Sequence, residues 1–378
     1  MNILFLIYHG LSQSSGVSKK IEAQIKGLRD GGHNVYMCHY NINEKGLWAR
    51  MIDNDTLENY GNNRLSPIKK RVCYDAILRF AIDKKIDFVY ARSFHNANPF
   101  TISFFKKLRK AKIKSVIEIP TYPYDQEYKG TLVKDKIELL TDKLFRHKLA
   151  KTTDAIVTFS DHEQIFGQRT IRISNGIDFD MLPIKEKQAR SADSAINLIG
   201  VAEVHFWHGF DRLLKGLAEY YSRPHTQEVH FHLVGGIDPN EWNGSEMSEG
   251  INTLINKHNL SEHVTLYGKK FGDELNSVFE KADVAIGSLA RHRSGIYNIK
   301  TLKNREYAAR GIPFVYSETD TDFEQKPYIL KVPADESPID IQSIVDFYNG
   351  LDIEPQAIRD SIKHLSWKEQ MQKVINEL

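Results

Sequence analysis

The stretch that decides the fold runs from Ala282 to Glu318, ADVAIGSLARHRSGIYNIKTLKNREYAARGIPFVYSE. Its apolar run, Val284 to Ile286, predicts a buried strand. A polar, basic loop containing a glycine follows from Arg291 to Asn298. Lys300 to Arg310 then has the spacing of a helix, with Leu302, Tyr307 and Ala308 on one inward face. Gly311 stops that helix, and Ile312-Pro313-Phe314-Val315 opens the next strand. A strand, a loop and a helix start in succession make an anion site, because free backbone N–H groups and the positive end of the helix dipole point at one spot. Arg291, Arg293, Lys300 and Lys303 bring positive charge there. Glu306 lies two turns into the helix, where a carboxylate accepts hydrogen bonds from a diol.

Working outward, strands and helices alternate in both directions. Asn2 to Tyr8 is a continuous apolar strand of the kind found inside a parallel sheet. A loop ending in Gly16 leads to an amphipathic helix, Val17 to Asp30, with Ile21, Ile25 and Leu28 on one face. This is a βαβ opening without the dinucleotide fingerprint, so the loop at Gly16 is either a sharp turn or an approach to a ligand phosphate. Asn41 to Pro67 is rich in Asn and Asp, reads as irregular, and receives no function. Arg92 and His95 follow the strand Phe88 to Tyr90, at the end of a strand where doubly wound sheets bind ligands; the other reading is a surface loop. Ser115 to Ile119 is the next strand and runs into a proline-stiffened loop offering Glu118, Thr121 and Tyr122. Glu118 is either a carboxylate facing a substrate or a structural acid paired with a neighbouring cation. Lys185 to Ser194 is polar and reads as a linker. Strand Ile196 to Gly200, a loop holding Glu203 and His208, and a helix from Phe210 to Tyr221 open the second half. The expected fold class is α/β, with two Rossmann-like, doubly wound domains facing across a cleft: residues 1–184 and 195–360. A final helix within 361–378 crosses back to the first domain.

Length and composition fit that plan. The 378 residues suffice for two domains, and 41% hydrophobic with 26% charged residues is ordinary for a globular chain. The net charge of +2 hides an asymmetry: residues 1–180 carry roughly +9 and the remainder roughly −7. A basic first half points to an anionic partner such as a membrane surface, a lipid diphosphate or a charged glycan. Phe100 to Lys114 is basic and amphipathic, so it either lies on such a membrane or packs its apolar stripe on the sheet. Cys38 and Cys73 read as buried thiols, and no Cys/His cluster suggests a metal. Asp320-Thr321-Asp322 has the form of a metal-binding acid pair, but a chance match is the preferred reading. With no signal peptide and no membrane span in sight, the expected location is cytoplasmic, with contact at the inner face of the membrane allowed.

The stretch around Leu302-Lys303-Asn304-Arg305-Glu306-Tyr307 resembles the GT-B glycosyltransferases, and among them glycosyltransferase family 4, in a variant seen in polysaccharide-building members. The Asn175-Gly176-Ile177-Asp178 turn fits the same resemblance. That family carries two glutamates eight positions apart; the second matches Glu306, but the first falls on Asn298, and the glycine-rich turn is replaced by Ile299-Lys300-Thr301-Leu302. The arginine and lysine that usually grip the donor diphosphate match Glu203 and His208, so Arg293, Lys300 and Lys303 are expected to supply the charge instead. The resemblance implies metal-independent, retaining transfer of a hexose from a UDP-, GDP- or dTDP-sugar to a glycan or lipid-linked acceptor, in surface polysaccharide synthesis. Gly16, Glu203, His208, Arg293, Lys300, Thr301, Leu302, Lys303 and Glu306 are the expected donor residues. Glu118 and Asn298 are the catalytic candidates; Arg92, His95, Thr121 and Tyr122 are the acceptor-side candidates. No cofactor and no nucleic acid is expected. Two alternatives stay open: a nucleotide-sugar epimerase of similar plan, and a non-catalytic protein that binds glycan or nucleic acid.

Overall fold

The computed structural model describes residues 1–11, 16–92, 96–125, 133–187, 194–236 and 250–378. They form two compact units, Met1–Gly176 with Ser366–Leu378, and Ile177–Leu365.

The first unit is built on β1 (Asn2–Leu6), β2 (Asn34–Ile42), β3 (Trp48–Ile52), β4 (Asp55–Gly61), β5 (Phe88–Arg92), β6 (Lys114–Ile119), β7 (Ala155–Thr158), β8 (Gln164–Ile165) and β9 (Gln168–Arg172). They lie in the order β4-β3-β2-β1-β5-β6-β7-β9-β8. From β2 through β9 the neighbours run parallel; β3, β4 and β8 pair antiparallel at the edges. Successive residues of β1 point to opposite faces. Leu4 and Leu6 join the core under the helices Asp75–Asp83 and Pro99–Lys110, whereas Ile3 and Phe5 join Ile21, Ile25 and Leu28 of the helix Gly16–Asp30.

The stretch read as irregular, Asn41 to Pro67, is in fact the end of β2 and the β3–β4 hairpin, followed by a short helix from Ser66. Buried Arg50 ties it together, donating from Nε to the Tyr60 hydroxyl (2.8 Å) and from Nη2 to the Lys70 carbonyl (2.6 Å). The helix Pro99–Lys110 starts under an Asn98 cap and buries Ile102, Phe104, Phe105 and Leu108. Of the two readings of that stretch, packing on the sheet is the one the structure shows. The helix expected within 361–378 is Trp367–Asn376, and before it come Pro355–Asp360 and a tight turn at Lys363–Leu365. Ser366 starts that helix by accepting the Glu369 N–H at 3.1 Å, at the point where the chain passes from the second unit to the first. Trp367, Met371 and Val374 then pack beside the helix Gly16–Asp30. A Cβ at Gly27 would lie 2.6 Å from the Trp367 carbonyl carbon, so that close crossing requires glycine.

The second unit has β10 (Ile196–Val201), β11 (Val229–Val234), β12 (Val264–Gly268), β13 (Val284–Ile286), β14 (Phe314–Tyr316) and β15 (Ile329–Lys331). All pairs are parallel, in the order β12-β11-β10-β13-β14-β15. Leu198, Val284 and Ile286 feed the core on one face; Ile199, Ala285 and Tyr316 feed the other. No described helix is long and apolar enough to cross a membrane. Cys38 is buried, which pushes its thiol up to about 11; Cys73 is half-buried, and both are unpaired thiols.

Candidate functional site

In the second sheet the chain winds one way from β10 to β11 and β12, and the other way from β13 to β14 and β15. The direction reverses between β10 and β13, and in open α/β sheets ligands bind beyond the carboxyl ends of the strands at that reversal. Two loops meet there, Ala202–Gly209 after β10 and Gly287–Thr301 after β13. The Leu289 N–H donates to the His208 carbonyl at 2.9 Å. Gly209 makes this contact feasible: its φ is +68°, and a Cβ would sit 2.8–2.9 Å from Leu289 and Ala290.

His208 is buried and accepts the His205 N–H at Nδ1 (2.9 Å), so its neutral ring carries the proton on Nε2. Burial first, then the charges of Lys303 and Arg291, hold it far below the usual histidine range. It is therefore a neutral donor at physiological pH.

The helix after the loop is Leu302–Ala309, shorter than the sequence predicts because Thr301 caps it, its Oγ1 accepting the Asn304 N–H at 3.3 Å. The helix start is pinned from beneath. Fully buried Arg305 donates to the Thr301 carbonyl (2.8 Å), to both Asp320 oxygens (2.8 and 3.2 Å) and to Asp322. The Tyr307 hydroxyl donates to the Ile286 carbonyl at 3.1 Å. Asp320 and Asp322 thus serve Arg305, which fits the chance-match reading of that acid pair.

On this frame sit three charged side chains with buried atoms that no other residue pairs. Lys303 is partly exposed along its stem, but its ammonium is shut away from water and no described group accepts from it. Nε of Arg291 is buried and equally unpaired, its guanidinium 5.4 Å from the Trp207 ring centre. Glu318, just past β14, is 2% exposed, and both its carboxylate oxygens are buried and unpaired. Burial, then Arg291, brings the Lys303 ammonium down to about 7, against the pull of Glu318. Burial pushes the Glu318 carboxyl up to about 7 as well, opposed by its own backbone N–H, Arg291 and Lys303. Buried polar groups are nearly always hydrogen-bonded, so such a cluster is a candidate site.

The other expected donor residues divide. Arg293 donates to both Asp211 oxygens (2.9 and 2.8 Å) and to Glu336, with Asp211 fully buried. Its charge is therefore spent within the fold, and the expectation that it supplies charge to a phosphate is corrected. Glu203 is exposed and paired with Lys269 at 3.1 Å. Lys300 is half-buried beside the helix start, and Leu302 is exposed. Glu306 accepts from Nε of Arg310 at 3.0 Å, with its side chain about one-third exposed. Asn298 is exposed and forms a parallel bridge with Thr319, the neighbour of Glu318. Among the described residues no group of three His, Cys, Asp or Glu side chains is gathered for a metal.

In the first unit, Gly16 begins the helix Gly16–Asp30, and His95 lies outside the described residues. Glu118 is a buried member of β6 and faces Arg92 in register on β5, at 3.2 Å. It also accepts from the Tyr90 hydroxyl (2.5 Å) and Gln24 (2.7 Å). Burial alone would raise its carboxyl, but Arg92, Lys20 and these hydrogen bonds hold it below its usual value. With no exposed surface it meets no substrate, so the catalytic expectation for Glu118 and the acceptor-side expectation for Arg92 are both corrected to a structural pair. Thr121 is exposed, and Tyr122 packs edge-on against His162 and Phe166.

No family model and no curated protein matches the chain. Solved structures do match over its full length. They include sucrose-phosphate synthase from Thermosynechococcus elongatus (16% identity, TM-score 0.61, covering 100% of this chain and 98% of that one). Trehalose-6-phosphate synthase OtsA aligns at 11% identity and TM-score 0.57, covering 100% and 98%. AviGT4, a glycosyltransferase involved in avilamycin A biosynthesis, aligns at 12% and 0.54, covering 100% and 96%. At such identities the likeness is one of fold: α/β, of the two-domain GT-B kind.

Proposed function

We propose that the chain is a glycosyltransferase that moves a sugar from a nucleotide-sugar donor to a glycan or lipid-linked acceptor. The observation that carries this reading is the buried, unpaired Lys303 ammonium beside Arg291, in the first turn of a helix at the sheet's switch point. The first N–H groups of a helix have no partner within it, and the dipole adds positive potential there. A diphosphate leaving group fits such a place. As the sugar departs, charge builds on the phosphate oxygens, and Lys303, Arg291, the His208 Nε2–H and the helix start stabilise it from fixed positions. In this reading the cations act without a metal. Glu306 and Asn298 lie further along the same loop and helix, and we assign them to the ribose and the sugar. The fold neighbour AviGT4 is a glycosyltransferase, and an E. coli trehalose-6-phosphate structure of the same fold is bound with UDP-2-fluoro glucose, so UDP-sugars are the first donors to test.

We assign the acceptor to the basic first unit. Its helix Val133–Ala150 exposes Ile137, Leu140 and Leu144 along one stripe, with Lys136, Lys143 and Lys148 exposed nearby. An apolar stripe beside lysines suits the surface of an anionic membrane that carries a lipid-linked acceptor. Retention of configuration, the family 4 assignment and a role in surface polysaccharide follow from the motif resemblance and belong to the same proposal.

A melting-point screen against UDP-, GDP-, dTDP- and ADP-sugars tests it, since a ligand that binds the native state raises the transition. One sugar nucleotide should stabilise the protein and release its nucleoside diphosphate only with an acceptor present. Conversion of the nucleotide-sugar without an acceptor would point to an epimerase, and stabilisation by none would sink the reading.

A further inference from the structure

We propose that Glu318 is a positioning residue of the donor site: it balances Lys303 and Arg291 while the site is empty, and takes a proton from solvent when a diphosphate enters. The inference rests on the reading of this cluster as a diphosphate site and adds to it how the site manages charge.

The geometry comes first. Glu318 follows β14, next to β13, whose loop carries Arg291. Its backbone neighbour Ser317 donates to the Ser288 carbonyl at 3.0 Å, fixing the two strand ends together. Thr319, on its other side, bridges to Asn298 and accepts the Ile299 N–H at 2.9 Å, which ties Glu318 to the approach of the Lys303 helix. The carboxylate is thus buried between two loops, with no hydrogen bond to any other residue. The charged and titratable groups facing the cluster are Arg291, Lys303 and Asp320, with His208 and His205 beyond Lys303. Asp320 is committed to Arg305.

Fully ionised, the empty cluster holds two cations and one anion. Adding a doubly charged diphosphate reverses the sign of the total unless Glu318 becomes a neutral acid, and it draws Lys303 toward its fully charged form. Both groups sit near neutrality, so each has a proton to gain. An acid proton on Glu318 also turns an acceptor into a donor facing an anion. Because the charge of each group shifts the other, they titrate as a pair.

UDP-glucose is a suitable probe, because both its phosphates are esterified and neither titrates in this range. Its binding to the full chain is to be measured calorimetrically in buffers of differing ionisation heat, at about pH 6 and about pH 8. The expected result is little proton uptake at the lower pH and about one proton or more at the higher, with affinity falling at least threefold as pH rises. Glu318→Gln, a permanent mimic of the protonated acid, should cut the uptake and bind at least threefold tighter than wild type at the higher pH, with little change at the lower. Binding without proton uptake by wild type overturns the proposal but leaves the donor site standing. An equal loss of affinity at both pH values in Glu318→Gln also overturns it. If no nucleotide-sugar in the screen binds, both this proposal and the donor-site reading fall.

Discussion

Replacing Lys303 by methionine should make the empty protein more stable while removing its ability to hold a nucleotide-sugar. Methionine keeps most of the stem and removes a charge that has no partner. The size of the gain follows from the displaced ammonium. It lies near 7 in the fold against 10.5 for an ordinary lysine, and at about 1.4 kcal/mol per pH unit that is up to about 5 kcal/mol of unfavourable charging. Relaxation of the surroundings about the ammonium trims the expected gain to about 2–3 kcal/mol. Glu318 loses a cation in the exchange and answers by holding a proton to higher pH, which limits the offset. The sign with pH is fixed. The unfolded chain binds a proton that the fold disfavours between about 7 and 10.5, so wild-type stability rises with pH across that window. The advantage of Lys303→Met should therefore be largest at and below about pH 7 and shrink as the pH rises toward 10. Urea unfolding followed by tryptophan fluorescence reads it directly. A variant that is less stable than wild type near neutrality, or an advantage that does not change with pH, refutes the reasoning.

Three further predictions concern the frame. Gly209→Ala forces a Cβ against Leu289 and Ala290 at a positive φ and should cost on the order of 2–4 kcal/mol, measured by urea unfolding, with loss of nucleotide-sugar binding as His208 is displaced. Arg305→Met leaves Asp320 buried without its cation and should destabilise by about 3–5 kcal/mol in the same assay. Glu118→Gln should destabilise at neutral pH by roughly 2–4 kcal/mol while leaving nucleotide-sugar affinity within about twofold. Because the Glu118 carboxyl is held below its usual value, its contribution is present above the ordinary carboxylate range and lost as pH falls through the folded value, so the two proteins should converge in acid.

Much of the fold was legible because both sheets have strands that are apolar on two faces. Asn2 to Tyr8, Ile196 to Gly200 and Val284 to Ile286 read as runs, and each was found where expected. The β3–β4 hairpin was not legible, since its order comes from a buried arginine, Arg50, reaching Tyr60 and Lys70 across the turn rather than from alternating apolar residues. Of the residues named from the sequence, Lys303 and His208 come to one electrostatic cluster from loops that are distant in the chain. Composition counts cations and does not say which are already paired. Arg293 looks as available as Arg291, yet Asp211, more than eighty residues away, holds it. Glu318 was missed for the mirror reason. An acid after an apolar strand looks like an ordinary surface residue until its neighbours bury it, and the one signal was its place past a strand beside the switch point. Glu118 lies inside a strand, where Arg92 stands beside it in register and neutralises it.

The claim beneath the rest is that unmet positive charge at the switch point of the second unit grips a leaving diphosphate. Titration calorimetry of the stabilising nucleotide-sugar against wild type, Lys303→Met and Arg291→Met puts that to a single measurement. The account predicts micromolar-range binding by wild type and a loss of at least tenfold, about 1.4 kcal/mol, in each variant. Equal affinity in all three proteins would contradict it.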